Sequence, residues 1–224
     1  MTNKADVTIE TYNNIVNEYI DYYKSKDLDG KVQFQREIDY ICQRIKNDAK
    51  ILDVGTAIGD YPKYLTEKMK AKKYDVIGID ASSNMIKVAS ENAPKATFKV
   101  MDVRKMDFDE NTFDAIICFA TLIHVNDDEC EKILYNFDKI LKKDGIIAIN
   151  VYEWLNEEKE SFESEPLNPK FKTYFNKYKR EFFINFFKNN NYKILTFFNN
   201  PLFNPSKVKG KAANINQFSI IVKK

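Results

Sequence analysis

The chain is short of cysteine, histidine and tryptophan, has no long apolar run, and carries almost no excess of charge of either sign. Each shortage removes a class of protein. The three cysteines, Cys42, Cys118 and Cys130, are odd in number and widely spaced. Neither a disulfide framework nor a zinc site is expected from them, and a reducing, cytoplasmic setting is. A single histidine, His124, gives no material for a histidine-rich metal centre, so no metal is expected, although carboxylates remain able to hold a hard cation. No apolar run reaches the roughly eighteen residues that a membrane-spanning helix needs. The polar start, Met1-Thr2-Asn3-Lys4-Ala5-Asp6, leads into an amphipathic stretch and not into a signal peptide. The net charge of +2 lacks the strongly basic footprint of a nucleic-acid binder. Neither nucleic acid nor a membrane is an expected partner.

Aromatic residues, by contrast, are plentiful: 17 Phe and 13 Tyr require a ring-rich core or pocket. The 224 residues suffice for one domain with a substantial core. Ile9, Tyr12, Ile15, Val16, Tyr19, Ile20 and Tyr23 recur at helical spacing and predict a helix over 6–28, closed by an Asp29-Gly30 turn. A second helix follows through Val32, Phe34, Ile38, Ile41, Cys42 and Ile45.

From Lys50 the pattern becomes short apolar strands alternating with amphipathic helices. The strands are Ile51–Val54, Asp75–Asp80, Thr97–Met101, Phe113–Phe119 and Ile146–Val151. Pro62 suits a helix's first turn, Ser82 or Ser83 a helix cap, and Lys143-Asp144-Gly145 the turn that stops the helix carrying Cys130 to Leu141. Such alternation implies a parallel sheet covered on both faces, a doubly wound α/β domain.

One domain over 1–224 is expected, with a helical cap at 1–48, a core at 49–151, an irregular lid at 152–175, and a last helix and two strands at 176–224. Trp154 and a run of glutamates, Glu157, Glu158, Glu160, Glu163 and Glu165, fall in the lid. The glutamates read as a solvated face. Between the final strands, Pro201, Pro205 and Gly210 mark a long loop. Lys207, Lys209, Lys211, Lys223 and Lys224 form a basic stretch too thin to argue for phosphate binding.

The chemistry gathers at the carboxyl ends of the strands, where open parallel sheets bind ligands. Asp53-Val54-Gly55-Thr56-Ala57-Ile58-Gly59-Asp60 follows the first strand. Its small residues allow close backbone approach to a ligand. Asp80 ends the second strand, where a carboxylate can accept hydrogen bonds from a ribose diol. A dinucleotide fingerprint would place a pyrophosphate against Asp60, which charge opposes. S-adenosylmethionine is cationic and has no phosphate, so it fits better.

In this order, the motifs from Ile51 to Val151 resemble those of class I S-adenosylmethionine-dependent methyltransferases of the small-molecule type. The resemblance implies a seven-stranded, mostly parallel sheet with its last strand antiparallel. It implies that Asp53, Gly55, Thr56, Ala57 and Gly59 hold the methionine part of the cofactor, although the family usually has glycine where Ala57 stands. Asp80 and Ala81 would hold the ribose, Met85 would flank the adenine, and Asp102 with Val103 would read the adenine edge. Phe119 to Val125 would lie beside the methyl group. Tyr12 and Tyr19 resemble cap residues that close over cofactor and acceptor, and Trp154 would join Tyr12 and His124 around the acceptor.

His124 is the candidate general base, the bland alternative being a histidine that packs at the pocket wall. Cys118 and Cys130 lie on apolar stripes and do not look like nucleophiles. The expected reaction is in-line methyl transfer to an O or N of a small molecule, with closure of cap and lid excluding water. Three rivals remain: a nucleic-acid or protein methyltransferase, an NAD-dependent oxidoreductase on the same fold class, and a non-catalytic cofactor-binding protein.

Overall fold

A computed structural model describes residues 4–25, 32–69, 72–155, 158–200 and 216–224. In chain order the elements are α1 (Lys4–Asn14), α2 (Val16–Ser25), α3 (Gln35–Cys42), β1 (Ala49–Val54), α4 (Asp60–Lys63), β2 (Tyr74–Asp80), α5 (Ser83–Asn92) and β3 (Thr97–Val100). Then come β4 (Phe113–Phe119), α6 (Asp127–Ile140), β5 (Leu141–Tyr152), β6 (Glu160–Ser164), β7 (Lys172–Asn176), α7 (Arg180–Asn189), β8 (Lys193–Asn200) and β9 (Gln217–Lys223).

Seven strands form one sheet in the order β3-β2-β1-β4-β5-β9-β8, with β9 antiparallel to both its neighbours. The pairs β1–β2, β2–β3, β1–β4 and β4–β5 are parallel. The doubly wound architecture read from the alternation is therefore present, including the antiparallel last strand. Its central strands are apolar on both sides because helices cover both faces. Ile51 and Leu52 on β1, Ile116 and Ile117 on β4, and Ile147 and Ala148 on β5 are all fully buried. One face packs against α6 and α7 through Leu134, Phe137, Phe183 and Phe187, and the other against α3 through Ile38 and Ile41. Each such side chain contributes about 1.5–3 kcal/mol on burial.

The strand order reverses between β1 and β4, opening a crevice at their carboxyl ends. Into it lead the loop after β1 and the segment after β4. Just beyond His124, a reciprocal capping box starts α6: Asn126 accepts from the Glu129 N–H at 2.9 Å, and Glu129 accepts from the Asn126 N–H at 3.3 Å.

Three expectations are corrected. The helix expected over 6–28 is divided at Ile15, although backbone hydrogen bonds run across the break from Ile15 to Thr11 and from Tyr19 to Ile15. Ile15 is fully buried there, so packing sets the bend. The helix through Cys130 ends at Ile140, before the 143–145 turn. β5 then starts at Leu141 and carries a bulge, with Phe113 opposite Leu141 and Ala115 opposite Ile146, and Asp144 at φ 65°. Pro62 falls in the first turn of the helix after the β1 loop, as expected, and that α turn is followed by a wider π turn over Tyr64–Lys68.

The lid, finally, is not irregular, since β6 and β7 pair as an antiparallel hairpin. Backbone pairing satisfies its polar groups where loop structure would leave them to water. The Asp29-Gly30 turn, Glu157, and the stretch holding Pro201, Pro205, Lys207, Lys209, Gly210 and Lys211 lie outside the described residues.

α1 packs on β7 through threonine side chains. Thr8 and Thr11 are buried, three residues apart on one helix face. The Thr11 hydroxyl donates to the Lys172 carbonyl at 2.6 Å, and Thr8 Oγ1 accepts from the Tyr174 N–H at 3.2 Å. Polar β-branched residues thus cover a strand edge that an aliphatic helix face would leave without partners.

Candidate active site

A cavity of about 950 Å³ opens above the β1–β4 crevice, roofed by α1, α2 and the β6–β7 hairpin. It stands at the upper end of the usual size for small-molecule sites.

Its floor is the loop after β1. Gly55 (φ +71°) and Gly59 (φ +81°) take left-handed backbone conformations. A Cβ at Gly55 would lie 2.0 Å from Thr121 Oγ1, because the β4 segment crosses directly over it. Ala57 is also left-handed, at φ 46°, and its N–H donates to Asp80 Oδ2 at 2.9 Å. That hydrogen bond holds an alanine in a conformation glycine takes freely. Asp53 lies buried behind the loop, outside the cavity lining, and accepts from the Thr56 hydroxyl at 2.6 Å. Burial pushes its pKa up to about 7. Gly59 likewise shapes the turn without lining the cavity.

Asp80 ends β2 at the cavity wall. Each carboxylate oxygen takes one backbone N–H, Oδ1 from Ser82 and Oδ2 from Ala57, both at 2.9 Å. A carboxylate has about four acceptor positions, so two remain for a ligand. Burial raises its pKa, and the two backbone hydrogen bonds oppose that rise. Ala81 and Met85 line the same wall. Phe119, also lining, is enclosed by Phe34 and Tyr61 at ring distances of 5.0 and 5.6 Å.

Asp102 and Val103 line the cavity as expected, but a residue the sequence reading passed over engages the carboxylate. Arg104 Nε donates to both Asp102 oxygens, at 3.0 and 2.9 Å, and its far nitrogen reaches Asp6 on α1 at 2.7 Å. Hydrogen bonding from Arg104 holds the Asp102 pKa down against the opposing effect of burial. A side chain two residues away gives no periodic signal by which to be found.

The other end of the cavity is built around His124. Its Nδ1 lies 2.9 Å from the Tyr174 carbonyl. A carbonyl only accepts, so Nδ1 carries the proton and Nε2 presents its lone pair. The Tyr12 hydroxyl, 3.4 Å from Nε2, is then the donor. Burial depresses the His124 pKa to about 4 and raises that of Tyr12, so both are neutral near pH 7. Tyr19 lines the cavity in an apolar cluster with Ile58 and Met85 and stacks on Tyr23 at 4.6 Å.

Phe175, Tyr152 and Glu165 complete the wall. The solvated-face reading of the glutamates is corrected at Glu165, which is buried at 4% exposure, because the hairpin folds that residue inward. Trp154 does not join the pocket. It lies under the ammonium groups of Lys159 and Lys179, at 5.6 and 4.8 Å, away from the lining. All three cysteines are free and buried, and burial raises each thiol's pKa, as inert packing requires.

The groups present fit S-adenosylmethionine better than a dinucleotide. Asp60 and Asp80 both line the loop side, and no lysine or arginine among the described lining residues stands there for a pyrophosphate.

Residues 51–145 match the family described as a methyltransferase domain. The chain is 37% identical to phosphoethanolamine N-methyltransferase 3 of Arabidopsis thaliana over 112 residues, 48% of this chain and 22% of that protein. It is 28% identical to the Plasmodium falciparum phosphoethanolamine N-methyltransferase over 164 residues, 72% of this chain and 57% of that protein. The chain thus spans well under two thirds of either relative. The solved Burkholderia thailandensis 1,6-didemethyltoxoflavin N1-methyltransferase, bound to its substrate and S-adenosylhomocysteine, superposes with a TM-score of 0.68 at 15% identity, covering 98% of this chain and 88% of that one. Residues 51–145 thus carry a methyltransferase-domain match, and the likeness to solved S-adenosylmethionine-dependent methyltransferases is one of fold.

Proposed function

We propose that the protein methylates a nitrogen or oxygen of a small molecule, with the cofactor along the Gly55–Asp80 wall and the acceptor at the Tyr12–His124 end. The observation that carries this is the single cavity joining the two. S-adenosylmethionine supplies a methyl group on a sulfonium, already a good electrophile, so the protein's contribution is alignment, desolvation and proton removal. Gly55, Thr56 and Ala57 offer a close backbone ledge, and Asp80 receives the ribose hydroxyls.

His124, fixed by the Tyr174 carbonyl, takes the Tyr12 proton at Nε2 as the acceptor's proton passes to the Tyr12 oxygen. Neither residue carries charge beforehand, so the relay starts neutral in a ring-lined space. α1 brings Tyr12 and is held on both sides: Ser82 Oγ donates to Asn13 at 2.8 Å, and Thr8 and Thr11 hold β7. Cap and lid close the site together.

The relatives named for phosphoethanolamine make an amine the first acceptor class to test. Among the described residues no helix is long and apolar enough to cross a membrane. A cytoplasmic setting is supported by three unpaired cysteines. We read residues 1–224 as one catalytic unit, 1–48 and 152–175 closing over 49–151.

The test is calorimetric titration with S-adenosylhomocysteine beside NADH, repeated on Asp80→Ala. Binding of the first ligand alone, weakened in the variant, supports the reading. Preference for NADH, or no binding, rejects it.

A further inference from the structure

The acceptor end of the cavity is acidic and aromatic. Glu165 lines it, yet its carboxylate is thinly satisfied. The Thr173 hydroxyl donates to Oε2 at 2.9 Å, and the Leu167 N–H reaches Oε1 at 3.4 Å. No lysine or arginine among the described residues pairs with it, and burial raises its pKa. A buried carboxylate with two of about four acceptor positions used and no cation nearby is short of donors.

The neighbours do not relieve it. Glu165 is tied through Thr173 to β7, two residues before Phe175, and its charge adds to burial in raising the Tyr12 and Tyr152 hydroxyls. Tyr12, His124, Phe175 and Tyr152 form a file of rings with successive centroids 5.4, 5.3 and 5.8 Å apart. Ring faces attract cations. The one lysine or arginine among the described lining residues, Arg104, is committed to Asp102 and Asp6. A phosphate or carboxylate entering this end would meet Glu165 without a counter-ion. An ammonium would supply the missing donors and lie against the rings.

We propose that the acceptor is a small amine carrying positive charge and no acidic group, with Glu165 as its counter-ion among the rings of Tyr12, Tyr152 and Phe175. This rests on the methyltransferase reading and refines it: a phosphorylated amine is the wrong substrate for this wall. Glu165 selects the acceptor by charge, while proton removal stays with Tyr12 and His124.

The test uses the full chain loaded with S-adenosylhomocysteine, whose own binding is measured first. Failure of that step rejects the cofactor reading, separately from this proposal. Methylammonium, ethanolamine, phosphoethanolamine and inorganic phosphate are then titrated as probes. The expected result is binding of the first two and at least about tenfold weaker binding of the last two. In Glu165→Gln, which retains an oxygen to accept from Thr173, the first two weaken by about tenfold or more while S-adenosylhomocysteine affinity is unchanged. Tighter binding of phosphoethanolamine or phosphate than of ethanolamine overturns the proposal, as does an unchanged ammonium affinity in Glu165→Gln.

Discussion

The two ends of the cavity are built by different means. The end proposed for the cofactor is mostly backbone: Gly55, Thr56 and Ala57 turn at the end of β1, Asp80 lies at the end of β2, and Asp102 just past β3. These positions are consecutive along the sheet edge, and each follows its strand within a few residues. The end proposed for the acceptor is made of side chains from distant segments. Tyr12 comes from α1, His124 from the turn after β4, and Glu165 and Phe175 from the hairpin. Tyr12 and His124 are 112 positions apart in the chain. The first end follows from strand topology, and the second depends on how a cap and a hairpin happen to dock.

That contrast is best broken from the backbone side. Gly55→Val would drive a side chain into Thr121 at a left-handed φ, and S-adenosylhomocysteine binding should weaken more than about 100-fold by calorimetry. Far-ultraviolet dichroism should show the fold retained. At the acceptor end, Tyr12→Phe and His124→Ala should each lower kcat by about 100-fold with cofactor affinity unchanged. A parallel loss of cofactor affinity in either variant would show that the two ends are not separable. Asp80→Ala should weaken S-adenosylhomocysteine by about 10- to 100-fold, the worth of hydrogen bonds to a charged group.

The docking of the cap is open to a gentler test. Thr8→Val leaves the Tyr174 N–H without its partner and should cost about 1–3 kcal/mol in denaturant unfolding. Hydrogen exchange in α1 should rise with it. Addition of S-adenosylhomocysteine should slow exchange over residues 6–25 in the parent protein, and no change there would count against closure.

The smallest effect contrasts the two ends by pH. His124, depressed to about 4, resists a proton that the unfolded chain binds near pH 6.5. Acid therefore weakens the fold as pH falls from 6.5 toward 4. Asp53, raised to about 7, keeps a proton that the unfolded chain releases above its ordinary value, so its contribution strengthens over the same fall. Between pH 7 and 5, His124→Asn should lose less Tm than the parent and Asp53→Asn should lose more. Equal slopes in all three proteins would remove both assignments.

Strand periodicity, the small-residue loop and Asp80 were legible because each is a local pattern: burial on both sheet faces demands continuous apolar runs, and a tight turn demands small residues. The hairpin was not legible, since Phe162 and Tyr174 are ordinary aromatic residues until they pair. Trp154 was misjudged for a related reason. It lies past the end of β5, where its direction is decided by the backbone pairing of Glu153 and Trp154 with the distant Tyr178. Arg104 was missed because no motif distinguishes a salt-bridging arginine from a solvated one.

By itself, then, the sequence determined the sheet and the class of cofactor, because these rest on contacts within a few residues of each strand. Only the tertiary structure decided that Glu165 points inward, that Arg104 holds Asp102, and that Tyr12 meets His124. Those contacts join segments far apart in the chain, and a local pattern carries no information about which distant groups will share a wall.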